Sequence, residues 1–386
     1  MAKKIRIGLI GGGEGSFIGG IHYRAAMLDG YYELVCGAFS SDPEKSKRSA
    51  GVYHVDPQRA YPGWKEMFEK EAAMPEDKRM QAVIIATPNY LHYPQAIRAL
   101  ENGIHVICDK PMTISLEEAE ALAGKVKETG LVFALTHTYT GYAMVKEARQ
   151  IIKSGKIGNI RKIVVEYPQG WLSTPVEETD NKQAGWRSNP EFNGPGGCLG
   201  DIGVHAANLA EYISGLTIES LCADINSFVS GRELDDDANV LLRLRGGARA
   251  ILYASQISAG EENPLKIRVY GEKGGIEWQQ HEPSTLMLRM LDQPAQVLRA
   301  GQNYEYLSDI ARWNLRLPAG HPEGFIEAFA NIYRNAATDI LRYMGTEAEG
   351  TEFAEYPTVY DGVKGMQFIE KVIESAQSSN KWIPFD

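Results

Sequence analysis

Ile5-Arg6-Ile7-Gly8-Leu9-Ile10-Gly11-Gly12-Gly13-Glu14-Gly15-Ser16-Phe17-Ile18-Gly19 is the stretch on which the fold turns. An apolar strand runs into a glycine loop, and a helix-like segment follows to about Leu28. Strand, glycine loop and helix in that order are the context a dinucleotide fingerprint needs. Gly11 permits the tight turn, Gly13 lets the backbone approach a pyrophosphate, and the helix amino terminus offers N–H groups and a positive dipole end. The strict G-x-G-x-x-G spacing is not kept. Ser16 stands where the third glycine belongs, and Gly19 is the better candidate after a longer loop. The plain alternative is a flexible loop.

Further strands follow. Glu33 to Ala38 is a second strand, ending at Phe39-Ser40-Ser41-Asp42-Pro43. An acid at this edge favours NAD and an arginine favours NADP. Asp42-Pro43 also fits a helix N-cap with proline at N1 and Gly51 as the stop. Ser40 and Ser41 can bond a ribose or a 2′-phosphate, and Lys45 or Arg48 can reach a phosphate. The expectation leans to NAD, with NADP open. Gln81 to Ala86 is a continuous apolar strand, as in a parallel sheet covered on both faces, and ends in Thr87-Pro88-Asn89-Tyr90-Leu91-His92. A fourth strand, Val106-Ile107-Cys108, stops at Asp109-Lys110-Pro111, because proline cannot continue a central ladder. Ser115-x-x-Glu118 has capping-box spacing for the next helix. A fifth strand, Leu131 to Leu135, reaches His137. Alternating strands and helices over residues 1–137 predict a doubly wound parallel sheet of the Rossmann type.

The pattern then changes. Residues 138–386 are expected to form an α+β domain whose sheet is mainly antiparallel. Tyr142 to Ser154 reads as a helix and Ile160 to Glu166 as a strand. Residues 168–197 read as a long polar loop carrying Trp171, Trp186 and Arg187; so long a loop is functional or disordered. In the following helix Asp201 and His205 stand at i, i+4 on one face, with Asn208 and Tyr212 near it. Strands follow from Ser220 to about Leu298. Helices at about Pro322 to Met344 and Thr358 to Ser378 close the chain.

Composition narrows the function. The chain has 386 residues and a net charge of −10, with no basic stripe, so no nucleic-acid partner is expected. No run approaches the ~20 apolar residues of a spanning helix, and Met1-Ala2-Lys3-Lys4 enters a strand without an apolar leader, so a cytoplasmic protein without a membrane is expected. Cys36, Cys108, Cys198 and Cys222 lack metal-site or disulfide spacing, and no metal is expected.

A dinucleotide loop, a lysine at a strand end and an Asp/His pair suit hydride transfer from an alcohol. Histidine takes a proton near neutral pH, a carboxylate one turn away orients it, and a lysine stabilises alkoxide charge. Read alone, Asp201/His205 is also a plain surface pair, and Lys110 a surface lysine before a helix. Gly19-x-x-His22, Ala86-Thr87-Pro88-Asn89-x-x-His92, Asp109-Lys110-Pro111 and Gly200-Asp201-Ile202-Gly203-Val204-His205 come in an order and spacing that resembles the Gfo/Idh/MocA oxidoreductase family. That family includes inositol dehydrogenases and glucose–fructose oxidoreductase. Asp109 stands where the family usually has Glu, and the glycine loop is longer.

The resemblance implies reversible oxidation of a secondary hydroxyl on a cyclic polyol, sugar or glycoside, catalysed by Lys110, Asp201 and His205, in a homo-oligomer (dimer or tetramer) built through the second-domain sheet. The alternative is a nicotinamide-assisted glycosidase or epimerase that keeps its cofactor. The expected cofactor set is Gly11, Gly13, Ser16, Phe17, Ile18, Ser40, Ser41, Thr87, Asn89, His92, Asp109 and Lys110. His137, Tyr142, Trp171, Trp186 and Arg187 join Lys110, Asp201 and His205 as expected substrate contacts.

Overall fold

The computed structural model describes residues 4–179 and 181–385; Met1, Ala2 and Lys3, read above as leading into the first strand, lie outside the described residues. One compact unit takes the chain up to Thr113, Glu117–Gly141 and Phe325–Val363. The other takes Ile114–Leu116, Tyr142–Gly324 and the chain from Lys364 on.

In the first unit the chain runs β1 (Ile5–Gly11), α1 (Phe17–Leu28), β2 (Tyr32–Ala38), α2 (Pro43–Val52), α3 (Trp64–Ala72), β3 (Ala82–Ala86), α4 (His92–Glu101), β4 (His105–Cys108), α5 (Leu116–Thr129) and β5 (Phe133–Leu135). The strands pair in parallel in the order β2-β1-β3-β4-β5. β3 and β4 are buried at every residue, which explains their unbroken apolar sequence. The order reverses between β1 and β3, and sheets of this kind take ligands at the carboxyl ends of such strands.

Asp42 caps α2: its Oδ1 accepts from the N–H groups of Glu44 and Lys45 at 2.9 and 3.2 Å. Gly51, expected to stop this helix, lies inside it. The helix continues to Val52 and delivers Tyr53, whose hydroxyl donates to the Gly12 carbonyl.

Phe325–Val363 was expected in the second domain but belongs to the parallel-sheet unit. Its helix, Phe325–Tyr343, carries Phe329, Ile332, Tyr333, Ala336, Ala337 and Ile340 at helical spacing. These residues share one core with Ile5, Ile7, Ile21, Ala25 and Tyr32. Alanines at 330, 336 and 337 allow close approach to α1, and the Tyr32 hydroxyl donates to the Tyr333 carbonyl at 2.9 Å.

The second unit holds α6 (Ala143–Lys153), β6 (Ile160–Pro168), α7 (Lys182–Arg187), α8 (Pro190–Asn193), a π-helical turn (Leu199–Gly203), α9 (Val204–Ser214), β7 (Ile218–Asn226), β8 (Asp237–Leu244), β9 (Arg249–Ser255), β10 (Lys266–Gly271), β11 (Gly274–Gln279), β12 (Thr285–Met290), β13 (Gln296–Arg299) and β14 (Ile383–Pro384). Its nine strands run β13-β12-β11-β10-β6-β9-β8-β7-β14. Among the described residues only β6 and β9 pair in parallel in this sheet; the other neighbours are antiparallel. Strict alternation in β8 buries Ala238, Val240, Leu242 and Leu244 and exposes Leu241 on the opposite face. Residues 168–197, expected as a loop, contain α7 and α8. Asn189 caps α8, its Oδ1 accepting from the Glu191 N–H at 2.9 Å, with Pro190 at N1.

Candidate active site

The glycine loop closes by backbone contact. Gly11 and Gly12 have φ of 78° and 69°, the left-handed region that glycine adopts without steric cost. A Cβ on Gly19 would collide with the Gly12 backbone. Gly19 is therefore the glycine that lets α1 pack against the loop, as its sequence position suggested. Gly13 departs from its expected part. Its Cβ would meet the Phe39 carbonyl oxygen at 2.6 Å, and its N–H donates to that same oxygen at 2.9 Å. The missing side chain at Gly13 makes room for the end of β2.

Ser16 is the N-cap of α1, its Oγ accepting from the Gly19 N–H at 3.3 Å. The first-turn N–H groups of Phe17 and Ile18 have no helical carbonyl to meet, and at Gly15 a Cβ would find open space. Open space at Gly15, first-turn donors and a strand-end position fit a dinucleotide pyrophosphate held by the loop and by Ser16, Phe17 and Ile18. At the end of β2, the Ser40 Oγ accepts from the Asp42 N–H at 3.1 Å, and Ser41 is exposed. Arg48 stands 3.5 Å from Glu14 of the loop.

The ends of β3 and β4 are tied together. Thr87 donates its hydroxyl to Gln95 at 2.9 Å, and Asn89 is buried. His92, expected to contact cofactor, is fully buried, with its ring nitrogens 2.8 Å from the carbonyl oxygens of Thr87 and Pro111. A neutral ring has one N–H and donates to one of them. Burial pushes this ring toward the neutral form, against the pull of Asp109. His92 is thus a brace between two strand ends.

Asp109 is braced in turn. Its Oδ1 accepts from the Lys110 N–H at 2.9 Å and from the Thr136 hydroxyl at 3.0 Å. His22 Nε2 stands 3.8 Å from Oδ2, an ion-pair distance too long for a hydrogen bond, while its Nδ1 is 2.7 Å from the Tyr333 hydroxyl. Burial works to raise the Asp109 carboxyl. His22, the Lys110 ammonium and His92 outweigh it and hold the carboxyl well below the usual carboxylate range. Lys110 itself is half-buried. His137 is buried beside this pair; burial first, then the Lys110 charge, push its imidazole down to about 3.

In the second unit Asp201 lies in the π-helical turn and His205 in the first turn of α9. The plain α-helix expected from the sequence is interrupted here. π-turns are rare and concentrate at functional sites. Asp235 secures the start of this segment: its carboxylate accepts from the N–H groups of Gly197 at 2.6 Å and Leu199 at 2.8 Å. Asp201 Oδ1 faces the Arg187 guanidinium at 3.7 Å, and its Oδ2 accepts from the Gln256 amide at 2.8 Å. His205 is buried, with the Tyr167 ring centroid 6.5 Å away. Arg187 also lies over the Trp186 ring at 4.3 Å, which joins two residues that sequence reasoning singled out separately. Trp171 is partly exposed, its indole N–H donating to Gln169 at 3.0 Å. Tyr142, an expected substrate contact, is buried against Trp278 at 5.2 Å. Tyr212 is turned to α6, where Lys146 donates to its hydroxyl at 3.4 Å. Asp235, Gln169 and Gln256 were not singled out by sequence. An Asp-Asp-Asp run at 235–237 was the one visible signal, and amides carry none.

The family is settled by two models. Residues 5–137 match the oxidoreductase family with an NAD-binding Rossmann fold, and residues 145–277 match the GFO/IDH/MocA C-terminal domain. The chain belongs to the Gfo/Idh/MocA oxidoreductase family. Across 100% of this chain and 98% of its relative it is 33% identical to the uncharacterized oxidoreductase YfiI of Bacillus subtilis (strain 168). A levoglucosan dehydrogenase of Pseudarthrobacter phenanthrenivorans is 28% identical over 71% of this chain and 73% of its own length. Among solved structures, an inositol dehydrogenase homolog from Azotobacter vinelandii complexed with NADH and myo-inositol superposes with a TM-score of 0.91 at 36% identity, covering 100% of this chain and 98% of the other. The same homolog complexed with NAD+ gives 0.93 at 37%. The chain is an oxidoreductase of the NAD-dependent sugar and inositol dehydrogenase family. Among the described residues, no helix is long and apolar enough to cross a membrane, and no cluster of three His, Cys, Asp or Glu is placed to hold a metal.

Two expectations follow from this geometry. Gly19→Ala forces the loop away from α1, whereas Gly20→Ala points into open space. Calorimetry should show cofactor affinity reduced about tenfold or more in the first, equivalent to ~1.4 kcal/mol, and little change in the second. Equal affinities would remove the Gly12–Gly19 contact from the binding site.

The second concerns acid. His137 takes a proton below about 6.5 when unfolded but only below about 3 when folded. Stability from its neutral ring is therefore complete above pH 6.5 and is lost as pH falls toward 3. Urea unfolding of His137→Asn should show a smaller loss between about pH 7 and pH 4.5 than the parent. Parallel losses would contradict the buried neutral ring.

Proposed function

We propose that this protein is an NAD-dependent dehydrogenase of a cyclic polyol, oxidising one secondary ring hydroxyl, with an inositol as the first candidate. The observation that carries the proposal is the full-length likeness to the Azotobacter homolog complexed with NADH and myo-inositol. Asp201, held by Gln256, and His205, four residues further on, support it chemically. The preference for NAD rests on β2 ending without a free arginine among the described residues, since Arg48 is drawn to Glu14; Asp42, used as a cap, does not add to it.

When bound, the nicotinamide supplies the hydride acceptor. The side chains do the rest. Lys110 donates to the reacting hydroxyl oxygen and stabilises its developing negative charge. His205, neutral at rest, accepts the hydroxyl proton on a ring nitrogen. Asp201 favours the resulting imidazolium and keeps the ring oriented. Asp109 takes no proton from substrate, since its carboxyl stays ionised across the working range and holds the Lys110 backbone.

A screen of inositols, sugars and glycosides with NAD and NADP, read at the reduced-nicotinamide absorbance, tests the reading. Oxidation of a cyclic polyol with higher kcat/KM for NAD supports it. Product without net absorbance change would instead mark a transient-oxidation hydrolase or epimerase, and a strong NADP preference would move attention to Ser40, Ser41 and Lys45.

On the identified substrate, His205→Asn should lose about 10²–10⁴-fold in kcat with cofactor affinity near normal, and the acidic limb of the pH profile should vanish. Asp201→Asn should cost less and shift that limb to lower pH. A His205→Asn enzyme with near-parent kcat and an intact limb would refute the assignment.

A further inference from the structure

The ionised Asp201 carboxylate only accepts hydrogen bonds, so Gln256 must present its amide –NH2 to it. The same –NH2 donates to Gln169 Oε1 at 3.2 Å, and that oxygen also receives the Trp171 indole N–H at 3.0 Å. With its oxygen doubly occupied, Gln169 turns its own –NH2 to Asn263 Oδ1, which also accepts from the Tyr167 hydroxyl at 2.7 Å. Asn263 passes its –NH2 to Gln280 at 3.2 Å. Each amide orientation is set by its neighbour, and the series begins at a carboxylate and at an indole that can only donate.

The backbone holds this series in place. Gln256 is buried directly after β9, and its N–H donates to the Asp236 carbonyl at 2.8 Å. The Gln256 carbonyl accepts from the Leu172 N–H at 3.0 Å, and the Gln169 N–H donates to the Ser255 carbonyl at 2.7 Å. Both ends of the Trp171 segment are therefore pinned to the strand end that carries Gln256. Nothing in the proposed catalysis needs these amides, yet the series starts on Asp201, four residues before His205.

We propose that Gln256 is a positioning residue of this site: with Gln169 it forms an amide relay that fixes the Asp201 carboxylate and couples its orientation to the Trp171 indole. A ring-shaped hydroxylated substrate resting against Trp171 shifts the indole, and the relay transmits that shift to the carboxylate that steadies the His205 imidazolium. The proposal deepens the dehydrogenase reading and rests on it for its catalytic consequence. The relay itself is tested without turnover.

Charged or titratable groups in contact with this series include Asp201 and Tyr167, with Arg187 facing the other oxygen of Asp201; Asp236 contributes its backbone carbonyl to Gln256. Gln256→Glu places a second carboxylate against Asp201 and adds negative charge near His205. In the cofactor-free protein, the His205 imidazole followed by NMR should titrate at clearly higher pH than in the parent, by about one unit. Gln256→Leu releases the carboxylate from its held position and should give a smaller, downward shift. Trp171→Phe keeps an aromatic ring but removes the indole N–H, and should shift the titration slightly in the parent background and not at all in Gln256→Leu. On the substrate, Gln256→Leu should lose up to about 10²-fold in kcat with the KM for cofactor unchanged. Gln256→Glu should move the acidic limb to higher pH.

Unchanged His205 titration in folded Gln256→Glu and Gln256→Leu would overturn the proposal, whatever their activity. So would equal Trp171→Phe effects in both backgrounds, since independent sites add. A shifted titration in a protein that oxidises no polyol would keep the relay and remove only the dehydrogenase reading.

Discussion

A parallel strand buried on both faces must end in groups that the protein itself satisfies, and the first unit depends on how β4 does so. Val106, Ile107 and Cys108 are fully buried, and the next residue is a carboxylate. Asp109 is tolerable there because Thr136, the Lys110 backbone and His22 surround it. Burial of an unpaired charge would cost several kcal/mol; here the charge is turned into the anchor of the Lys110 turn. His92 adds a second tie, from the Pro111 carbonyl to the end of β3. The helix Phe325–Tyr343 completes the support from behind, because Tyr333 reaches the other nitrogen of His22. A residue more than two hundred positions away in sequence thus helps orient the lysine turn.

The second unit solves a related problem with a different device. Before α9 the chain widens into a π-turn, and this turn carries Asp201. Asp235 satisfies the N–H groups that this irregular start exposes. Asp201 is then held on one oxygen by Gln256 and attracted on the other by Arg187. Its carboxylate is consequently less free than a surface i, i+4 partner, for which a few tenths of a kcal/mol would be the ordinary worth. That difference separates the catalytic reading from the plain one in physical terms.

Burial also sorts the histidines. His92, His105 and His137 are all driven toward their neutral forms by desolvation, His105 to about 4 and His137 to about 3. His105 accepts the Val132 N–H at 2.9 Å and stands edge-on to Tyr343, a structural position at the amino end of β4. His92, His105 and His137 therefore act as uncharged braces.

By itself the sequence determined the two sheets, their parallel and antiparallel character, the strand-end placement of Lys110, the capping role of Asp42 and the packing role of Gly19. These are local facts: apolar runs, glycine and proline positions and capping spacings act within a few residues. Only the tertiary structure decided where Phe325–Val363 packs, because an amphipathic stripe does not name the surface it covers. It also decided that Gly13 faces Phe39, that His92 is enclosed by carbonyls, and that Tyr142 belongs to the core. Gln169 and Gln256 were invisible, and the Asp235–Asp237 run did not say which carboxylate matters, for the same reason: such a group acquires meaning from the partner that the fold brings within hydrogen-bond reach, and that partner lies tens of residues away along the chain.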